Sequence, residues 1–307
     1  MAVQKVDMSV DLGFFRLTNP VLTASGTFGY GIEMMPFVEL KKLGGVVTKG
    51  LYFEPREGNP PPRLVEVTAG LLNAIGLPGI GVKAFIRDIL PRLREEKATV
   101  IVNVCGETVE EYVKVVRCLD EAEGIAFYEL NISCPNVEEE GRCPALNPQA
   151  TYSVVSRVKK AAQRPIVTKL SPNVTDIALI ARAAEEAGSD ALSLVNTFLG
   201  LAVNVETRRP KLANVYGGLS GPAIKPLALR LVYQTVQAVN IPVIGLGGIV
   251  TGYDALEFLS VGARAVQIGT ANFFDPQATL RIIQEMEEFC REHNISRIED
   301  FIGSFRI

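Results

Sequence analysis

Histidine is almost absent from this sequence. Among 307 residues there is one, His293, in the polar stretch FCREHN near the C-terminus. Catalytic zinc sites and Ser-His-Asp triads place histidine at the reacting centre. The sequence therefore argues against both classes of hydrolase, and a general base has to be sought among other residue types.

Metal-binding cysteine patterns are missing as well. The five cysteines, at positions 105, 118, 134, 143 and 290, form no CxxC pair. This spacing argues against a zinc site or an iron–sulfur cluster in the chain, and we expect no bound metal. The N-terminal residues show no signal-peptide pattern. We therefore expect free thiols rather than disulfides, and a cytoplasmic protein.

Long apolar runs and clusters of one charge are missing too. No stretch approaches the roughly 18 apolar residues that a membrane span requires. The 34 acidic residues nearly balance 31 lysines and arginines, for a net charge of −3. Without a basic patch, we expect neither nucleic acid nor a membrane as a partner. The hydrophobic content of 48% is enough for one large buried core.

Short apolar runs rich in β-branched residues alternate with amphipathic helical patterns. The eight strand candidates are residues 21–25, 45–49, 99–104, 125–130, 165–170, 190–195, 241–246 and 264–269. Because the runs are nearly continuous in apolarity, they predict a parallel sheet whose outer face is covered by helices. At this length the pattern favours an α/β fold of the (β/α)8 TIM barrel type, as one domain over residues 1–307.

Three segments depart from the alternating pattern. MSVDLGFFRLTNP (8–20) predicts an N-terminal hairpin that caps the barrel floor. Segments 51–79 and 197–221 follow the second and sixth strands and are too long to be simple loops. The active site of a barrel lies at the C-terminal ends of its strands, where long excursions usually build substrate walls or lids.

Polar residues collect at the predicted C-terminal strand ends. They are Ser25, Lys49, Asn103, Asn131, Lys169 and Asn196. Because the strand ends of a barrel converge, these side chains predict a binding site. Asparagine amides both donate and accept, which suits a flavin or a pyrimidinedione ring. The two lysines could be Schiff-base nucleophiles, as in barrel aldolases, or fixed positive charges.

Glycines follow the last two predicted strands, in GLGGIVTG (245–252) and IGTANFFD (268–275). The loops after strands seven and eight form the usual phosphate site of a barrel, where glycine lets backbone N–H groups approach an anion. The alternative is that these glycines only form tight turns. GLGGIV lacks the third small residue of a dinucleotide motif, so a mononucleotide phosphate is the better interpretation.

Several longer motifs occur in the order typical of one enzyme family. They are TASGTFGYG (23–31), VVTKG (46–50), NAIGLPGIG (73–81), NISCPNV (131–137), KLSPNVTD (169–176), VNTFLG (195–200), YGGLSGPAIKP (216–226), GLGGI (245–249) and IGTA (268–271). Together they resemble the dihydroorotate dehydrogenases along nearly the whole chain. The resemblance implies an FMN-dependent barrel enzyme of pyrimidine (UMP) biosynthesis that oxidises dihydroorotate to orotate.

The resemblance is closest to the class 1 branch, in which the catalytic base is a cysteine. Within that branch, the stretch from VNTFLG to GPAIKP is similar to the B type. B-type enzymes pass electrons to NAD+ through a partner subunit that carries FAD and a [2Fe–2S] cluster. The resemblance thus implies a catalytic homodimer with two electron-transfer subunits, as a heterotetramer.

The resemblance also implies roles for individual residues. Cys134 would remove the C5 proton of dihydroorotate while hydride leaves C6 for FMN, and Lys49 would meet the substrate carboxylate. The FMN-binding residues would be Ser25, Lys49, Gly50, Asn103, Asn131, Lys169, Val195, Gly221, Gly247, Gly248, Gly269 and Thr270. The substrate-binding residues would be Lys49, Asn73, Ala74, Ile75, Gly76, Leu77, Asn131, Asn196 and Thr197.

Parts of the pattern leave other interpretations open. Asn73 could be a simple turn residue, and the lid stretch EEEGRCPALN (138–147) departs from many B-type relatives. A fumarate-linked A-type enzyme would need no partner subunit, and a dihydropyrimidine dehydrogenase-like enzyme would need no pocket for a carboxylate. A Schiff-base aldolase or a non-catalytic barrel would bind no flavin.

Overall fold

The central element of the fold is a closed ring of eight parallel strands. The computed structural model describes residues 5–132 and 144–307. Its barrel strands are β1 (Val21–Thr23), β2 (Val46–Val47), β3 (Val100–Val104), β4 (Ile125–Asn131), β5 (Ile166–Lys169), β6 (Ala191–Leu194), β7 (Val243–Leu246) and β8 (Ala265–Ile268). Each strand pairs with the next along the chain, β8 pairs with β1, and a bridge between Leu22 and Gly45 joins β1 to β2. The predicted (β/α)8 barrel is confirmed.

Helical segments follow the strands and cover the outside of the barrel. They are Val82–Ala84, the π-helical Phe85–Ile89 and Leu90–Glu95 after β2, Val109–Asp120 after β3, Pro148–Ala161 after β4, Ile177–Glu186 after β5, Lys225–Val236 after β6, Gly252–Ser260 after β7, and Ala271–Phe274 and Ala278–Glu292 after β8. Between β1 and β2 the chain forms the 3-10 turns Ile32–Met34 and Leu40–Lys42. The core lies between this helical layer and the strands.

Local sequence explains where several of the helices begin. Thr108, Asn147, Asp176 and Thr251 are N-cap residues whose side chains each accept a hydrogen bond from a backbone N–H of the first turn. These caps satisfy donors that have no partner within the helix. The helices then bury one apolar stripe against the strands, which is the amphipathic pattern that the sequence predicts.

The N-terminal hairpin lies at the floor of the barrel, as predicted. Its strands Val10–Asp11 and Arg16–Leu17 are antiparallel. The rings of Phe14 and Phe15 contact Phe127, near the beginning of β4, with centroid distances of 5.4 Å and 5.7 Å. Because parallel strands begin at the floor, this contact covers the end of the barrel opposite the predicted site.

The excursions after β2 and β6 meet in one antiparallel sheet, hereafter the roof sheet. Its strands, in spatial order, are Phe198–Leu201, Tyr216–Ser220, Gly70–Asn73 and Leu64–Val67. A small hairpin, Val203–Asn204 with Arg209–Pro210, extends the second excursion. The excursions themselves were predicted, whereas their pairing with each other was not. Among the described residues, no helix has the length and apolarity to cross a membrane.

Candidate active site

A cavity of about 390 Å³ lies between the C-terminal ends of the barrel strands and the roof sheet. The predicted residues that line it are Ser25, Lys49, Gly50, Asn73, Ile75, Leu77, Asn103, Asn131, Lys169, Val195, Asn196, Thr197, Gly221, Gly247, Gly248, Gly269 and Thr270. Ala74 and Gly76 belong to the same loop as Ile75 but do not line the cavity. Cys134 lies outside the described residues, as does most of the predicted lid.

Five consecutive barrel strands bring polar side chains to this cavity. Asn103 lies in β3, Asn131 ends β4 and Lys169 ends β5. Lys49 and Asn196 each follow a strand by two residues, after β2 and β6. Since parallel strands place their C-terminal ends at the same rim, side chains that are far apart in sequence meet around one space.

A buried carboxylate that the sequence analysis did not identify lies below the cavity. Glu129 in β4 is 0% exposed. Its Oε1 accepts hydrogen bonds from Asn103 Nδ2 at 2.7 Å and from Lys169 Nζ at 3.4 Å. Its Oε2 accepts from Ser193 Oγ at 2.9 Å and from Gln267 Nε2 at 2.5 Å. All four donors of this carboxylate come from other strands of the barrel, β3, β5, β6 and β8.

This set of donors keeps Glu129 ionised. Burial alone would raise the pKa of the Glu129 carboxyl, because a charge is poorly solvated in the interior. The Lys169 ammonium and the hydrogen bonds from Gln267, Asn103 and Ser193 outweigh that effect and lower the pKa below its usual value. Glu129 and Lys169 are therefore a buried ion pair directly below the cavity.

The two cavity lysines have different surroundings. Lys169 Nζ also donates a hydrogen bond to Ser25 Oγ at 2.9 Å. Burial lowers the pKa of Lys49, the positive charge of Arg63 lowers it further, and the carboxylate of Glu33 opposes both. The Lys49 site is thus short of negative charge, which is the electrostatic condition for receiving an anionic group from a ligand.

The loops after β7 and β8 form a cradle of backbone donors. Within residues 5–132 and 144–307, the N–H groups of Gly247, Gly248, Gly269 and Thr270 donate to no other residue. The helix Gly252–Ser260 that follows has a capping box, in which Asp254 accepts from the Thr251 N–H. The free donors therefore belong to the loops, and such a cluster is suited to a phosphate.

The glycines of this cradle are there for two different reasons. Gly248 has φ of 76°, and a Cβ would lie 2.7 Å from the backbone nitrogen of Lys225. Gly247 has φ of 128° and a Cβ would lie 2.7 Å from the Ala228 Cβ, so both are required by the fold of the loop. A Cβ on Gly269 would come no closer than 3.5 Å to Ala24. The fold of the protein would therefore accept a side chain at this position, so a glycine there agrees with the close approach of a ligand to the backbone.

The opposite side of the cavity presents amides and apolar side chains. Asn73 ends a strand of the roof sheet, and its Nδ2 donates to the carbonyl oxygen of Gly218 at 3.1 Å. It is therefore not a simple turn residue. Asn196 Oδ1 accepts from the Thr197 backbone N–H at 2.9 Å. Each of these contacts leaves other donors or acceptors of the same amide for a planar polar ring.

Gln267 is a second cavity residue that the sequence analysis did not identify. It lines the cavity from β8, and its buried Oε1 has no hydrogen-bond partner among the described residues. Gln267 and Glu129 both lie within runs that were interpreted only as apolar strands. The available signal was a polar residue in the middle of each run. Among the described residues, no cluster of three or more His, Cys, Asp and Glu side chains could hold a metal ion.

Comparison with known proteins gives consistent matches over the chain. The family model described as dihydroorotate dehydrogenase matches residues 8–290. A protein of Geobacter sulfurreducens is 52% identical over 305 residues, covering 99% of this chain and 100% of that protein. One of Thermodesulfovibrio yellowstonii is 49% identical, covering 97% and 99%. Both are named dihydroorotate dehydrogenase B (NAD(+)), catalytic subunit.

A solved structure supports the fold independently. The crystal structure of DHODH from Eimeria tenella in complex with ferulenol aligns with a TM-score of 0.80, covering 99% of this chain and 90% of that chain. Sequence identity between the two is 21%. At that identity the likeness concerns the fold alone.

Proposed function

We propose that this chain, which belongs to the dihydroorotate dehydrogenase family, is the catalytic subunit of a B-type, NAD+-linked enzyme that oxidises dihydroorotate to orotate with FMN. The observation that carries the proposal is the set of residues that surround one cavity. A loop cradle with free N–H groups, a buried lysine–glutamate pair and several amides all face the same space. We also propose that the barrel and its roof sheet act as a single FMN-binding domain.

The cavity residues divide into groups suited to different parts of FMN. The free N–H groups of Gly247, Gly248, Gly269 and Thr270 suit its phosphate. Lys169 and Asn103, which Glu129 holds in place, suit the polar edge of its ring system. Ser25, Gly50, Asn131, Val195 and Gly221 complete the surrounding wall. When bound, FMN would accept the hydride that leaves C6 of dihydroorotate.

The amide side of the cavity suits the pyrimidine. Asn73, Asn131 and Asn196 can pair with alternating N–H and C=O groups, and Thr197 adds a hydroxyl. Lys49 supplies a positive charge for the substrate carboxylate, at a position where its own surroundings disfavour that charge. Ile75 and Leu77 provide apolar contact from the loop after Gly70–Asn73. Ala74 and Gly76 would contribute only through the path of this loop.

Cys134 is proposed as the general base that takes the proton from C5. In the sequence it follows Asn131, the last residue of β4 and a residue of the cavity wall, by three positions. A thiol with pKa near 8.5 is a competent base once ionised. If Cys134 is the base, the catalytic role of Lys49 is electrostatic. Its positive charge holds the carboxylate of the substrate while the ring loses its C5 proton.

The electron acceptor is proposed to be a separate subunit with FAD and a [2Fe–2S] cluster, and then NAD+. The relatives' names specify NAD+ and a catalytic subunit. This chain has no CxxC pair that could hold such a cluster. We propose a homodimer of this chain as the core of the resulting heterotetramer.

The visible spectrum of the purified chain, recorded before and after anaerobic addition of dihydroorotate, tests the proposal. We expect an oxidised flavin spectrum that bleaches with substrate. Reoxidation by NAD+ only when the partner subunit is present would support the B type, whereas reoxidation by fumarate without it would indicate the A type. A flavin that dihydroorotate does not bleach, but that is reoxidised by uracil or thymine after chemical reduction, would indicate a dihydropyrimidine dehydrogenase-like enzyme. A chain that takes up no FMN would overturn the proposal and favour an aldolase or a non-catalytic barrel.

A further inference from the structure

We propose that Glu129 is a positioning residue that orients Lys169, Asn103 and Gln267 for FMN and limits how strongly the site favours reduced flavin. The inference rests on the proposed binding of FMN in the cavity. It assigns a function to a buried carboxylate that takes no part in the proposed proton or hydride transfer.

The geometry connects Glu129 with the cavity through three side chains. Asn103, Lys169 and Gln267 each donate to the Glu129 carboxylate and each also lines the cavity. Both carboxylate oxygens are used, with two donors on each oxygen. A single buried group therefore fixes the orientation of polar side chains from three barrel strands at once.

The contacts of Lys169 leave it able to reach a bound ring. An ammonium group has three N–H donors. Ser25 Oγ takes one at 2.9 Å and Glu129 Oε1 lies at 3.4 Å from the same nitrogen. One donor has no acceptor among the described residues, and Lys169 borders the cavity. Glu129 thus holds the ammonium below the ring site without using all of its donors.

The sign of the charges determines what Glu129 does to a flavin. Two-electron reduction puts negative charge on the ring system, so the Lys169 ammonium favours the reduced form. Glu129 carries the opposite charge next to that ammonium and partly cancels its effect. Removing the negative charge should therefore make the site bind reduced FMN better relative to oxidised FMN.

A buried carboxylate with a purely structural role should affect the stability of the protein but not the flavin. Asp120 shows what such a role looks like, since it pairs with Arg164 at 3.0 Å and accepts from Tyr128 at 2.8 Å. Neither Asp120 nor its partners line the cavity. Loss of its charge should lower stability without changing the flavin. Asp120→Asn is therefore a matched control for a lost buried carboxylate.

The test is the midpoint potential of FMN bound to Glu129→Gln, measured by reductive titration against a reference dye without dihydroorotate. Glutamine keeps the shape and an acceptor oxygen but removes the charge. We expect the preference for reduced over oxidised FMN to rise about tenfold, which is ~30 mV for a two-electron couple. Asp120→Asn should lose thermal stability and keep the wild-type potential.

The outcomes separate this inference from the proposed function. An unchanged or lower potential in FMN-loaded Glu129→Gln would overturn the role of Glu129, even if wild-type flavin still bleaches with dihydroorotate. An equal shift in Asp120→Asn would overturn it as well, since the effect would then be unspecific. Wild-type protein that takes up no FMN would instead overturn the proposed function.

A second variant covers the case in which Glu129→Gln fails to fold. Glu129→Asp keeps the charge but withdraws it from Lys169 by one methylene. We expect a shift of the same sign and smaller size, because the opposing charge is now more distant. No shift in FMN-loaded Glu129→Asp would count against the proposal.

Discussion

At the scale of single residues, Lys49 is a cation in surroundings that disfavour its charge. Burial and Arg63 lower its pKa from the ordinary 10.5. As the pH rises through that lowered value, the ammonium becomes a neutral amine that cannot pair with a carboxylate. Bound substrate would raise the pKa again, so binding at alkaline pH should be accompanied by proton uptake.

We therefore expect the KM for dihydroorotate to rise with pH in the alkaline range. The rise should begin at a pH below the ordinary pKa of lysine, because the pKa of Lys49 is lowered. Lys49→Gln should have a KM that is higher by about tenfold or more at neutral pH and nearly independent of pH, since no titrating charge remains. Steady-state kinetics between neutral and alkaline pH would check this. A KM that rises equally with pH in wild type and Lys49→Gln would refute the assignment.

Cys134 should control the rate rather than the binding. Its replacement by serine raises the pKa of the base far above neutrality, so flavin reduction at saturating substrate should slow by about 10²–10⁴ while FMN stays bound. The wild-type rate should climb from neutral to alkaline pH as thiolate forms. Stopped-flow reduction measures both effects. A flat pH profile, or near-normal reduction in Cys134→Ser, would remove the assignment.

At the scale of elements, the two cradle loops allow a matched pair of substitutions. Gly248→Ala meets a positive φ and the Lys225 backbone at 2.7 Å. It should therefore lower thermal stability, by on the order of 1–3 kcal/mol. Gly269→Ala meets no protein atom closer than 3.5 Å, so it should fold normally.

The second member of the pair should lose affinity for FMN. A methyl group on Gly269 would occupy space at the cavity, so we expect FMN binding to weaken by about tenfold or more with little change in melting temperature. Calorimetry and flavin titration on both variants would check this. Unchanged FMN affinity in Gly269→Ala would mean that the phosphate does not bind at this loop.

The elements also show what sequence can and cannot predict. All eight strands follow from periodicity, because apolar runs between helical patterns are a local signal. The roof sheet was missed because the register between Gly70–Asn73 and Tyr216–Ser220 depends on where the barrel holds each segment. Glu129 was missed for a related reason. The role of Glu129 depends on four hydrogen-bond donors from four other strands, and no residue near Glu129 in the sequence indicates these donors.

At the scale of the whole molecule, exposed apolar side chains are concentrated on the second excursion. They include Leu199 at 68%, Val205 at 83% and Tyr216 at 57% exposure. Such patches mark interaction surfaces more often than scattered apolar residues do. The proposed homodimer would cover this part of the molecule.

We expect Leu199→Arg to weaken the homodimer by about tenfold or more, because a charge would be buried in the contact. Analytical ultracentrifugation against concentration would measure this. Leu179→Arg is the control, since Leu179 is 52% exposed but belongs to the helix Ile177–Glu186 and not to the second excursion. Equal effects of the two substitutions, or none from Leu199→Arg, would place the dimer contact elsewhere.

The roof sheet also has a consequence for synthesis of the chain. Asn73 and its partner Gly218 are 145 residues apart. At roughly 5–20 residues per second, the first leaves the ribosome on the order of ten seconds before the second. Throughout that interval the nascent chain has one edge of the strand Gly70–Asn73 without its later partner, and unpaired edges invite wrong pairing. The wall proposed to contact the pyrimidine therefore cannot be completed until the strand Tyr216–Ser220 has been synthesised.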